Sequence, residues 1–177
     1  HEDCRRQRQM CIRDSTIAYL YETASTMGGS LKTKKNKSPT FLVWAMADAQ
    51  GTNLQRVQII KGWLDNGESK EKVYDATCSD GLEVDKSSHR CPDNGAKVNL
   101  NDCSISKNKG SRELKTLWKD PEFIEDQEAF YYVRVLENPV CRWSTWDAIR
   151  SNQLPRSDIK STIQERAWSS PIWITNN

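Results

Sequence analysis

Ala129-Phe130-Tyr131-Tyr132-Val133-Arg134-Val135-Leu136 is the stretch on which the fold turns. Aromatic and β-branched side chains suit a pleated, half-buried surface, and Asn138-Pro139 stops the run, so it reads as a central strand. Upstream, Phe41-Leu42-Val43-Trp44-Ala45-Met46-Ala47 is a compact apolar run, bounded by Pro39 and by the polar residues from Asp48 to Asn53. It is too short for a confident helix and reads as a buried strand. Gln55 to Trp63, then Asp65-Asn66-Gly67, then Lys72-Val73-Tyr74-Asp75-Ala76 give the clearest hairpin, because Asn-Gly suits the two left-handed positions of a tight turn. Several polar residues on the return strand place one of its faces in water.

The flanking segments are less decisive. Arg112 to Trp118 fits a helical face through Leu114, Leu117 and Trp118, yet its context is β, and an extended segment is favoured. Ser144 to Arg150 suits one or two helical turns, with Ser144 as the cap. Trp168 to Thr175 reads as a last strand whose Pro171 belongs near an edge or a bulge. No strand-helix alternation recurs. The expected class is therefore mainly β, a sandwich-like antiparallel domain over residues 40–177 with long loops and at most one or two short helices.

Residues 16–39 read as a linker, since Met27-Gly28-Gly29 breaks the chain and Leu31 to Pro39 is a lysine-rich connection. No Gly-Lys-Ser/Thr follows the glycines, so they are not a phosphate loop. Residues 1–15 are expected to be artefactual: Gln9-Met10-Cys11-Ile12-Arg13-Asp14-Ser15 fits one reading frame of a transposase adaptor used in library preparation. This removes Cys4, Cys11 and His1 from consideration and leaves acids and bases nearly in balance.

Of 177 residues, 36% are hydrophobic, and the mean hydropathy is −0.79. So thin an apolar supply points to stability drawn partly from contact with further chain. A formal charge of +2 lacks the basic excess of a phosphate-neutralising protein, so nucleic acid is not an expected partner. No run approaches the roughly 18 apolar residues that a membrane span requires.

Thr77 to Gly110 is too polar to supply its own core. It carries Cys78, Cys91 and Cys103, which with Cys141 make an even set. Two disulfides in an oxidising compartment are expected, with all three pairings open. None of the spacings gives the closely paired ligands of a zinc site. His89 lies in a polar loop with no second histidine and reads as an exposed, structural residue. Glu122 with Glu125 and Asp126 could suggest a glycosidase pair, but such spacing is common in a chain with 28% charged residues. Trp143, Trp146, Trp168 and Trp173 could line a sugar-binding face; ordinary core or interface anchoring is the favoured role.

Four segments carry a resemblance: Met27-Gly28-Gly29-Ser30-Leu31, Leu54-Gln55-Arg56-Val57-Gln58-Ile59-Ile60-Lys61-Gly62-Trp63, Phe130 to Pro139, and Ile163-Gln164-Glu165-Arg166-Ala167-Trp168-Ser169-Ser170-Pro171-Ile172-Trp173. Together they resemble the C-terminal portion of the bacterial "domain of unknown function 3604" family. The resemblance implies a longer parent, related to the metal-dependent phosphoesterases of the polymerase and histidinol phosphatase superfamily and often exported. It places the metal ligands in an N-terminal α/β barrel, in His-x-His and Asp-x-His motifs that do not occur here. No catalytic, cofactor-binding or metal-binding residue therefore carries over, and a divalent metal is expected only in the missing N-terminal part. The expected role is a non-catalytic C-terminal accessory domain, periplasmic or secreted, whose partner is the missing catalytic domain. A free-standing ligand- or carbohydrate-binding module is the alternative, and hydrolysis by the chain alone is a third possibility.

Overall fold

The computed structural model describes residues 19, 22, 24–32 and 37–175. Residues 1–15, read above as artefactual, lie outside this set, as do Cys4, Cys11 and His1. The strands are β1 (Ser30–Lys32), β2 (Thr40–Met46), β3 (Leu54–Asp65), β4 (Glu68–Cys78), β5 (Glu113–Lys119), β6 (Ala129–Glu137), β7 (Val140–Cys141), β8 (Thr162–Ile163), β9 (Arg166–Trp168) and β10 (Ile172–Thr175). The helix α1 (Trp143–Arg150) lies between β7 and β8.

β6 is central, as its composition suggests. It bonds β3 along one edge and both β9 and β10 along the other, in a main sheet ordered β1-β10-β6-β3-β4. Its pairings are antiparallel except β1 with β10. The β3–β4 hairpin turns at Asn66 and Gly67, whose φ angles of 51° and 82° supply the two left-handed residues such a turn requires.

A second sheet, the antiparallel ribbon β2–β5, forms the other layer. β2 alternates strictly, so Phe41 and Val43 are buried while Leu42, Trp44 and Met46 are exposed. Phe41, Val43 and Leu114 from the ribbon pack with Val57, Ile59, Tyr131 and Ile174 from the main sheet. This is the small apolar core that the composition foretold. On the opposite face of the main sheet, Phe130 lies across Gly62, where an added Cβ would sit 2.3 Å from its ring. Only glycine lets that ring lie flat.

Three local expectations change. The helix is capped two residues earlier than expected, at Arg142 and with no side-chain cap; Ser144 lies inside it. Arg142 takes the cap position because its extended backbone carbonyl already accepts the amides of Thr145 and Trp146. The last strand is two, β9 and β10, separated by Ser169-Ser170-Pro171. There the Val133 amide bonds the Ser169 hydroxyl instead of a strand carbonyl, so the break fits the proline. Finally, Ser30–Lys32, inside the stretch read as linker, forms β1 by pairing in parallel with β10.

Candidate functional site

The two faces of the main sheet carry different chemistry. On the core side, β3 points Val57, Ile59, Lys61 and Trp63 inward by strand parity, which drives one lysine into the apolar layer. Lys61 Nζ donates to Asp120 Oδ2 at 2.7 Å and to the Glu122 carbonyl at 3.1 Å. The Tyr131 hydroxyl and the Glu122 amide donate to the same carboxylate, at 2.7 and 2.8 Å. With three donors converging on the Asp120 carboxylate and Lys61 also bonding the Glu122 carbonyl, this network holds the β5–β6 connection in place. A hollow of about 510 Å³ bordered by Ser38, Lys119 and Phe123 opens beside it, where the Asp120 carboxylate already accepts three donors from the protein.

That connection in turn sets Glu122. Lys72 Nζ donates to both of its oxygens, at 2.5 and 2.6 Å, and the Tyr74 hydroxyl donates to Oε2 at 2.9 Å. The Lys72 contact, then that of Tyr74, holds the Glu122 carboxyl below its ordinary range. Burial, with the bond to Glu122 behind it, pushes the Tyr74 phenol well above its ordinary value. An ionised acid beside a protonated phenol is a clamp rather than a proton-transfer pair poised near neutrality. Glu122 is thus committed to Lys72 and Tyr74.

His89 is half-buried instead of exposed. Its ring meets Tyr74 edge-on at 5.2 Å, and Nε2 lies 3.8 Å from Glu122. The cause is backbone capping: the His89 carbonyl accepts the Asp75 amide on the outer edge of β4, drawing the loop against the sheet. The loop is pinned by Cys78–Cys91 and Cys103–Cys141, so all four cysteines expected to bridge do so. Among the described residues, no group of three or more His, Cys, Asp or Glu side chains is arranged to hold a metal.

The outer face of the main sheet is ordered in rows, buried at Gln58, Ile60 and Asp75 and exposed at Trp168 and Trp173. One row crosses four strands, with Trp168 beside Arg134, Arg134 beside Gln58, and Gln58 beside Asp75. Arg134 Nε donates to Gln58 Oε1 at 2.7 Å, and Gln58 Nε2 donates to Asp75 Oδ1 at 2.6 Å. Asp75 also accepts Arg56 Nη1 at 2.9 Å and the Cys91 amide at 2.7 Å. Farther along, Phe130 meets Trp173 at 5.1 Å, and its ring plane is nearly parallel to that of Tyr132, at 13°. At the end of this face, a groove of about 630 Å³ is lined by Arg142, Lys160, Gln164, Glu165, Arg166 and Trp168, with Asp93 and Gln55 completing it.

The four tryptophans singled out above are not core residues, since Trp143, Trp146, Trp168 and Trp173 are all exposed. The packed ones are Trp63 and Trp118. Sequence reasoning missed Lys61, although its inward parity with Val57 and Ile59 was a usable signal. It also missed the groove cations, which come from three separated segments and leave no local pattern.

No curated protein and no solved structure is similar to this chain. The model of the family described as "Protein of unknown function (DUF3604)" matches residues 4–176, and the chain belongs to that family.

Proposed function

We propose that the chain is the accessory β domain at the C-terminal end of a longer metal-dependent, phosphoesterase-like hydrolase, and that it docks on the catalytic barrel through the outer face of the β2–β5 ribbon. The observation that carries this is the exposure of Leu42 (51%), Trp44 (46%), Met46 (72%) and Leu117 (71%). These are outward positions of a two-layer β fold, where alternation normally puts polar side chains. Leu42 faces Leu117 across the ribbon; Lys115, over the Trp44 ring at 5.8 Å, and Glu113, opposite Met46, interrupt the apolar surface, and Lys119 borders it. Four large exposed apolar side chains on one face of a domain with a small core fit a surface that another protein layer covers. The role of the domain is then to buttress that barrel, and an oxidising compartment outside the cytoplasm accords with the two disulfides.

The test is a Leu42→Glu, Leu117→Lys double substitution in the polypeptide that joins this domain to its upstream partner. The chain alone should unfold as before, while the joined protein should lose its shared melting transition and show two. A single unchanged transition in the joined protein, or an upstream locus encoding no hydrolase barrel in frame, contradicts the proposal.

A further inference from the structure

We infer that the groove at the end of the outer face, with the aromatic row beside it, binds an acidic saccharide. This surface is separate from the ribbon face proposed for docking.

Charge comes first. Arg142, Lys160 and Arg166 converge on the groove against Asp93 and Glu165, a local cationic excess in a chain whose formal charge is only +2. Arg142 uses Nε on the Lys160 carbonyl, at 3.0 Å, which leaves its terminal nitrogens for a ligand. Among the described residues, neither the Lys160 ammonium nor the Arg166 guanidinium has an ion pair or a hydrogen bond. A planar guanidinium matches a carboxylate or sulfate with two parallel bonds.

The neutral part of the ligand is read from the remaining walls. Gln164 donates Nε2 to Gln55 Oε1 at 3.0 Å and to the Glu137 carbonyl at 3.1 Å, so its side chain is fixed and its Oε1 remains an acceptor. Glu165 and Asp93 add further acceptors, suited to hydroxyl groups. Trp168 is exposed at the groove and provides a flat apolar ring. Acceptors, cations and one aromatic plane around a groove suit a hydroxyl-rich ring that carries an acid.

Continuity extends the site beyond one ring. Trp168 pairs with Arg134, and Trp173 pairs with Phe130, four residues farther along β6. That separation is about 13 Å at the rise of a strand. Tyr132 occupies the face between, so a linked chain of sugars leaving the groove meets a second aromatic station at Phe130 and Trp173. Arg134 among these rings, and Glu71 beside Tyr132, distinguish this face from the apolar ribbon. Nucleic acid is disfavoured, because three cations offset by two acids neutralise too few phosphates.

The experiment is calorimetric titration of the full chain with oligogalacturonate, with a heparin-derived oligosaccharide, with the methyl ester of oligogalacturonate as the neutral control, and with polyphosphate as a ring-free polyanion. At least one acidic saccharide should bind tenfold or more tighter than the ester and than polyphosphate. Trp168→Ala, an exposed position, should weaken it at least tenfold, and Lys160→Gln with Arg166→Gln should abolish the preference for acid. The ribbon pair Leu42→Glu, Leu117→Lys should leave binding unchanged, which separates this inference from the docking proposal. Binding of neither acidic saccharide, equal binding of the ester, or polyphosphate binding as tight and indifferent to Trp168→Ala overturns it.

Discussion

Replacing Cys103 and Cys141 together by serine is expected to lower the unfolding free energy by about 4 kcal/mol, and replacing Cys78 and Cys91 by about 3 kcal/mol. The bridges span 38 and 13 residues, and the unfolded chain gains more freedom when the longer loop is released. The loops are not nested, so the two losses should add. The loop at 79–110 makes the effect visible in structure, because its few buried side chains are mostly the cysteines and the polar Ser79 and Asn94. Urea titration checks this: each double substitution should lower the midpoint, and a more expanded unfolded state should steepen the dependence on denaturant. Losses below about 1 kcal/mol would show that packing, not the bridges, holds the loop.

Asp120→Ala should cost about 3 to 5 kcal/mol, the loss expected when one partner of a buried ion pair is removed. The side chains of Lys61 and Asp120 are 3% and 0% exposed, so neither can recover water at the surface. The alanine strands the Lys61 ammonium, the Tyr131 hydroxyl and the Glu122 amide together. Lys61→Met combined with Asp120→Asn should be milder than Asp120→Ala alone, since the charge disappears from both sides while the amide oxygen still accepts the Glu122 amide and the side-chain NH2 donates to the Tyr131 hydroxyl oxygen. Denaturant unfolding of the two variants decides it, and equal or reversed losses would mean that the pair does not anchor the β5–β6 connection. A secondary readout is the Glu122 clamp, because Asp120 orders the turn that carries Glu122 to Lys72 and Tyr74.

What the sequence made legible was set by the range of the forces involved. β6 and the β3–β4 turn are written in consecutive residues: an aromatic and β-branched run, and Asn66-Gly67 at two left-handed positions. β1 has three residues and exists only because β10, far along the chain, pairs with it, so no local pattern announced it. Four cysteines announced two bridges but not the pairing. Cys91 meets Cys78 because the loop returns to β4, where Asp75 accepts the Cys91 amide. The ribbon side chains Leu42, Trp44 and Met46 looked like core because the run is uniformly apolar. Only the second layer, by claiming Phe41 and Val43, assigns the alternate positions to the outside. The groove is legible only once β7, β8 and β9 bring Arg142, Lys160 and Arg166 around one space.

Hydroxyl-radical footprinting tests the docking claim most directly, since methionine and tryptophan side chains react readily when wet. In the chain alone, Trp44 and Met46 should oxidise as exposed residues, as should Trp168 and Trp173 on the opposite face. In a polypeptide that joins the chain to the proposed upstream barrel, Trp44 and Met46 should be protected several-fold while Trp168 stays reactive. Unchanged oxidation of Trp44 and Met46 in that longer protein would contradict the assignment of the ribbon as the docking surface.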